Sequence, residues 1–250
     1  MPSSSHRPRK RFGQHFLHEA GVIHRLVEAI DPREGEFFVE IGPGEGALTF
    51  ALVEKAGSVQ VVELDRDLAG TLRERAGITV HEADALEFDF GRFPQGMRIV
   101  GNLPYNISTP LLFHLAAFAP RVRDMHFMLQ REVVERMVAA ASTPQYGRLS
   151  VALQTRFAMK KLFTVAGGAF RPPPKVESAV VRLVPLPQRA IPEAFDDILR
   201  RAFSARRKTL KNALPDVDLA GTDPSLRPEN LTPADYLRIA ETTSRRPKRD

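Results

Sequence analysis

From residue 36 onward, short apolar runs alternate with stretches of roughly helical spacing. EFFVEIG (36–42) is a strand-like run closed by Gly, and GALTFALVEKAG (46–57) reads as a helix ending in Gly. SVQVVELD (58–65) is strand-like, RDLAGTLRERAG (66–77) helical, and ITVHEAD (78–84) strand-like again. MRIVGNL (97–103), a helical 108–118, a strand-like RDMHFMLQ (123–130) and a helical REVVERMVAAA (131–141) continue the series. Alternation of this kind, with short Gly-marked turns, predicts an α/β fold with a doubly wound, mostly parallel sheet.

Two later stretches change the picture. KKLFTVAGGAFRPPPKVESAVVRLVP (160–185) reads as two β segments around a Pro-rich turn. After LVPLPQRAIP the chain turns to charged helical runs broken by Pro, so a domain boundary is expected near 186. The expected organisation is a basic tail over 1–11, an α/β domain over 12–186, and a small helical domain with its own basic tail over 187–250.

Composition is that of a globular chain: 250 residues, 43% hydrophobic and 26% charged. The longest apolar stretch, PLLFHLAAFA (110–119), is too short to span a bilayer, and no apolar segment follows the basic N-terminus to make a secretory signal. With no Cys there is neither a disulfide framework nor a thiolate zinc site, and the expected location is cytoplasmic. His15 and His18 have i, i+3 spacing, but no Cys or carboxylate partner at metal-ligand spacing is in evidence, so no metal is expected.

The net charge of +6 is concentrated. HRPRKR (6–11), RRAFSARRKTLK (200–211) and SRRPKR (244–249) carry no acid. Solvation of the tails is the plain explanation of any one cluster. Three on one chain favour a polyanion, because Lys and Arg on phosphates release counterions. Nucleic acid is preferred over an anionic membrane, since no strongly amphipathic helix accompanies the charge. The candidate RNA contacts are Arg9, Lys10, Arg11, Arg206, Arg207, Lys208 and Lys211. The cations of 200–211 cannot all share one helix face, so some should pair with local acids or pack their stems.

Candidate chemistry collects where strands should end. GPGEG (42–46) allows close backbone approach at a helix N-terminus, although it lacks the third Gly of the dinucleotide fingerprint. Glu63 closes the second strand, where an acid can accept from both hydroxyls of a ribose, and Asp84 closes the third. Each acid alone is equally a helix cap or a loop charge. With Gly42 at the same sheet edge, the three favour a nucleoside, with Asp84 accepting from an adenine amine. The fourth strand ends in GNLPYNIS (101–108). There the Asn102 side-chain oxygen and a Leu103 carbonyl stiffened by Pro104 offer two acceptors for an exocyclic amine. Tyr105 offers a stacking face, a contact worth roughly 1–3 kcal/mol in single-strand binders.

GPGEGALT, ELDRDL, the DA of Asp84–Ala85, GNLPYNIS and FRPPPKVES together resemble the ribosomal RNA adenine dimethyltransferases. RKRFGQHFL (9–17) and FSARRKTLKNAL (203–214) narrow the resemblance to the bacterial small-subunit (16S) members, the KsgA family, and it runs from about residue 9 to 240. It implies a Rossmann-like S-adenosylmethionine-dependent methyltransferase domain with a small C-terminal helical, RNA-binding domain. It also implies N6,N6-dimethylation of adenines near the 3′ end of small-subunit ribosomal RNA, within an immature subunit; nothing in the sequence requires more than a monomer. Cofactor contacts are implied at His15, Leu17, Gly42, Glu63, Asp84 and Asn102. Catalytic roles are implied at Asn102, Leu103, Tyr105 and Phe170, with the adenine held between the two aromatic rings. His15 stands where relatives often have Asn.

The implied reaction is in-line attack of adenine N6 on a sulfonium methyl, assisted by positioning and fixed dipoles, with no strong base or metal. The adenine must be unpaired or flipped out, and RNA selectivity then falls to the basic elements reading backbone shape. Three rivals remain. A large-subunit methyltransferase of the antibiotic-resistance type usually has Ile where this chain has Leu103. An RNA-binding assembly factor on the same fold would not need the intact motifs. A nicotinamide dehydrogenase would need the missing Gly.

Overall fold

The computed structural model describes residues 14–187 and 190–244. A two-residue strand, β1 (Phe16–Leu17), leads into α1 (Ala20–Ile30). In α1 the apolar Val22, Ile23, Leu26, Val27 and Ile30 recur at three- and four-residue spacing, which makes one face of a helix. The Glu19 carboxylate accepts from the N–H groups of Gly21 and Val22 and so caps its start. Its buried Leu26 and Ile30 each contribute roughly 1.5–3 kcal/mol by leaving water.

Then come β2 (Phe38–Ile41), α2 (Ala47–Ala56), β3 (Val59–Glu63), α3 (Arg66–Arg73), β4 (Ile78–Glu82), β5 (Met97–Asn102), α4 (Ser108–Ala116), β6 (Val122–Gln130) and α5 (Arg131–Met137). After them run α6 (Arg148–Gln154), β7 (Phe157–Val165), β8 (Phe170–Arg171), β9 (Ser178–Pro185), α7 (Phe195–Ser204), α8 (Leu210–Ala213) and α9 (Pro233–Ser244).

Seven strands form one sheet in the order β4-β3-β2-β5-β6-β9-β7, and β1 pairs antiparallel with β8. Strands β2 to β6 pair in parallel, and β6 pairs antiparallel with β9. The central strands β2, β3, β5 and β6 are mostly apolar and buried on both faces, as expected of parallel strands covered on each side. The chain leaves β2 toward β3 and β4 and returns to β5 on the other side. That reversal opens a crevice at the carboxyl ends of β2 and β5, where ligands bind in open α/β sheets.

At the opposite end of β5, Arg98 is buried and donates to both oxygens of Asp124, to Glu36 and to the Ile30 carbonyl. Such a fully paired buried cation ties α1 to β5 and β6; removing one partner would leave a charge stranded.

The chain divides into two compact units. The first ends at Val134 and resumes over Lys160–Pro185; the second comprises Glu135–Met159 and the chain from Leu186 onward. The division after Pro185 coincides with the change in composition near 186. Residues 135–159, expected from sequence in the first domain, group with the second. Their bonds explain it: the Tyr146 hydroxyl donates to the Leu231 carbonyl (2.8 Å), and Ser142 N–H donates to that of Glu229 (2.8 Å).

Candidate active site

Four parallel strands deliver the crevice. The register pairs Glu40 with Val61 and with Val100, and Glu63 with Glu82, so Gly42, Glu63, Asp84 and Asn102 emerge at one edge. All four line a single pocket together with His15, Leu17, Leu103 and Tyr105.

The GPGEG turn has the conformation its glycines allow: φ is +65° at Gly42 and +59° at Gly44. A Cβ on Gly44 would lie 2.9 Å from the Phe16 ring, so Gly44 is also where β1 closes on the turn. No side chain caps the N-terminus of α2, which leaves helix N–H groups for a ligand.

Glu63 is buried, and its two oxygens accept from Asp65 N–H (2.8 Å) and Gly44 N–H (3.3 Å). Burial pushes its carboxyl above the usual range, and those two N–H groups pull it back. Each oxygen keeps a lone pair, which suits a pair of vicinal hydroxyls. Asp84 turns its Oδ1 to Leu86 N–H (2.9 Å), and Ala83 N–H donates to the Glu63 carbonyl (3.1 Å), which fixes the two acids relative to each other.

Glu40 belongs to none of the motifs, yet it is part of the site. It sits in the interior of β2, lines the pocket, and accepts from the Thr49 hydroxyl on α2 (2.6 Å). Burial drives its carboxyl up to about 7; the Thr49 bond opposes the rise and the nearby Glu63 adds to it. A signal for it exists in the sequence, since an acid inside the apolar run FVEI is costly to bury and calls for a partner.

In the NLPY turn, Asn102 Nδ2 donates to the His15 carbonyl (2.8 Å). A carbonyl only accepts, so the amide nitrogen must face His15 and Oδ1 is turned away as a free acceptor. Leu103 N–H is held by the Met128 carbonyl (3.1 Å), while among the described residues no donor reaches the Leu103 carbonyl. Tyr105 shares a hydrogen bond with Ser178 (2.6 Å), and its own carbonyl accepts from Ser108 (3.1 Å). Burial raises the Tyr105 hydroxyl above its ordinary pKa, against a smaller lowering from Ser178, so it stays neutral.

Phe170 is not brought to this group. It lies on β8 opposite Leu17, is 2% exposed within the core cluster, and is absent from the pocket's lining. Of the two expected rings, Tyr105 alone presents a stacking face at the pocket in this structure.

The basic residues of the second unit separate by environment. Arg200 pairs with Asp197, Arg201 with Asp197 and Asp216, and Arg206 with Glu229 and the Pro144 carbonyl. Arg207, Lys208 and Lys211 are exposed and make no ion pair among the described residues. Arg9, Lys10 and Arg11 lie outside the described residues. Among the described residues no cluster of three or more His, Cys, Asp or Glu is placed to hold a metal, and no helix is long and apolar enough to cross a membrane.

Comparison with known proteins shows the family. A family model described as ribosomal RNA adenine dimethylase matches residues 5–244. The chain is 56% identical over 249 residues to ribosomal RNA small subunit methyltransferase A of Aromatoleum aromaticum, covering 94% of each chain. It is 48% identical over 260 residues to the protein of that name from Pseudomonas aeruginosa, covering 97% of each. Among solved structures it resembles a dimethyladenosine transferase from Plasmodium falciparum (TM-score 0.74, 26% identity, 90% of this chain and 96% of that one). The 23S rRNA methyltransferase ErmE is also similar (TM-score 0.68, 27% identity, 92% and 100%).

Proposed function

Since this chain belongs to the ribosomal RNA adenine dimethylase family, we propose that it uses S-adenosylmethionine to dimethylate adenine N6 near the 3′ end of small-subunit ribosomal RNA. It acts in the cytoplasm as a monomer, on an immature small subunit. Identities of 48% and 56% to small-subunit enzymes, against 27% to ErmE, favour this substrate over the large subunit. The intact pocket favours an enzyme over a purely structural assembly factor.

The residues present suit the cofactor. Glu63 keeps acceptors for the two ribose hydroxyls, Asp84 keeps Oδ2 for an adenine amine, and Gly42 permits close backbone approach. His15 and Leu17 close the pocket from β1 and the residue before it. When bound, S-adenosylmethionine supplies the methyl group that the target amine takes up.

The chain's own part is to position that amine. An adenine amine is a poor nucleophile because its lone pair is delocalised into the ring. Asn102 Oδ1 and the Leu103 carbonyl are two acceptors for its two N–H bonds, and they favour positive charge developing on nitrogen. Tyr105 fixes the plane of the base, and its Ser178 tether fixes Tyr105. Once alkylated, the nitrogen is acidic enough to release its proton without a dedicated base. Phe170 is kept as the proposed second face for the base, which requires its ring to leave the core.

The observation that carries this reading is the Asn102 amide, held by the His15 carbonyl with its oxygen turned away as an acceptor beside Glu63 and Asp84. Incubating undermethylated small subunits with labelled cofactor, and mapping the product by mass spectrometry, tests it. Label confined to protein, or to another base, rejects it.

A further inference from the structure

His15 touches the Tyr105 turn, which lines the pocket, and the Pro172 turn, which does not. Its carbonyl holds Asn102, its ring Nδ1 lies 2.7 Å from the Pro172 carbonyl oxygen, and its ring centroid is 5.4 Å from that of Tyr105, with the planes 33° apart. The Pro172 oxygen can only accept, so Nδ1 carries the hydrogen. The Asn102 bond uses the backbone and survives any side-chain change. The ring therefore has a separate task from the carbonyl. The backbone pairing of Leu17 with Phe170 and the bond from His18 N–H to the Ala169 carbonyl (3.0 Å) hold the two segments together without the ring.

We infer that the His15 side chain is a positioning residue for the target base, bridging the Tyr105 turn to the Pro172 turn and setting the gap through which an adenine reaches Tyr105. The inference rests on the reading above, in which adenine stacks on Tyr105. Because the ring contacts Tyr105 and Pro172, and neither Glu63 nor Asp84, the cofactor contact proposed for His15 is assigned to its backbone, so removing the ring should affect the RNA substrate more than the cofactor. Misplacement of a reactant by about 1 Å can cost about a hundredfold in rate, so even a modest widening should be measurable.

The test compares full-length wild type with His15→Ala, His15→Asn and His15→Phe. For each, thermal midpoint, equilibrium binding of labelled S-adenosylmethionine, and kcat and KM on undermethylated small subunits are measured. The expected result for His15→Ala is a loss of about tenfold or more in kcat/KM for subunits, with cofactor Kd within about threefold of wild type. His15→Asn should recover most of the loss, because its amide can donate to the Pro172 carbonyl. His15→Phe keeps a ring beside Tyr105 without a donor and should fall between. Unchanged kcat and KM in His15→Ala, or a loss of cofactor affinity as large as the loss of turnover, would overturn the inference. Should His15→Ala not fold, the other two decide: Asn above Phe supports it, and Phe at or above Asn defeats it. Wild-type enzyme is assayed first, and its failure to methylate small subunits would defeat the functional reading and this inference together.

Discussion

Asn102 and His15 are 87 residues apart in sequence, yet the Asn102 side-chain nitrogen is 2.8 Å from the His15 carbonyl. In the proposed mechanism that bond decides which end of the amide meets the substrate. Replacing Asn102 with Ala removes an acceptor fixed before the substrate arrives, a change that typically costs about 10²–10³ in rate. Single-turnover methylation should fall by that factor while filter binding to small subunits stays close to wild type. Wild-type methylation in Asn102→Ala would remove the amide from the mechanism.

Glu40 makes stability depend on pH. Its carboxyl titrates near 7 in the fold against a reference of 4.5, so the folded state binds the proton more tightly. The stabilisation is complete below about 4.5 and is lost as pH rises through about 7, with an upper bound of roughly 3.5 kcal/mol. His126, pushed down to about 4 by burial, has the opposite sign: its contribution is present above 6.5 and lost as pH falls toward 4. The difference between wild type and Glu40→Gln therefore isolates Glu40. From pH 5 to 7 the wild-type denaturant midpoint should fall relative to that of the variant and then level off; parallel curves would contradict this.

Gly44 and Gly35 both have positive φ, but only Gly44 has a neighbour where a Cβ would go. Gly35→Ala should cost about 1 kcal/mol of stability from backbone strain, with cofactor affinity unchanged. Gly44→Ala adds a clash with Phe16 and should also weaken cofactor binding at least about tenfold, measured by calorimetry. Equal affinities in the two variants would mean that the GPGEG turn does not approach the ligand.

Much of the fold and site is legible in the sequence, for local reasons. FFVEI, VQVVE and MRIV are mostly apolar runs because parallel strands are buried on both faces, and Gly42, Glu63 and Asn102 mark the ends of such strands. What escapes depends on distant partners. β1 and β8 have two residues each and exist only because Leu17 meets Phe170; no period exists in so short a run. The motif around Phe170 suggests a ring beside the base, whereas its strand pairing places it in the core. Residues 135–159 look like a continuation of the α/β series until Tyr146 and Ser142 find partners near residue 230. Helix α1 precedes the first strand of the series, so the alternation gives it no place even though Leu26 and Ile30 repeat at four residues.

The exposed and paired cations of the second unit should behave differently. Substituting Arg207, Lys208 or Lys211 with Ala should weaken binding to small-subunit RNA. The salt slope should fall by roughly 0.7–0.9 for each phosphate that the wild-type side chain neutralises. Arg206→Ala should mainly lower the thermal midpoint, since Arg206 bonds Glu229 and Pro144. An unchanged salt slope in the Arg207, Lys208 and Lys211 triple variant would place the RNA surface elsewhere.

The most direct test of the central claim is to incubate the purified protein and labelled S-adenosylmethionine with undermethylated small subunits and, separately, with large subunits. N6,N6-dimethyladenosine is then quantified in each ribosomal RNA by mass spectrometry. Dimethyladenosine in small-subunit RNA, with none in large-subunit RNA, is the predicted result. A modified large-subunit adenine beside an untouched small subunit would contradict the account.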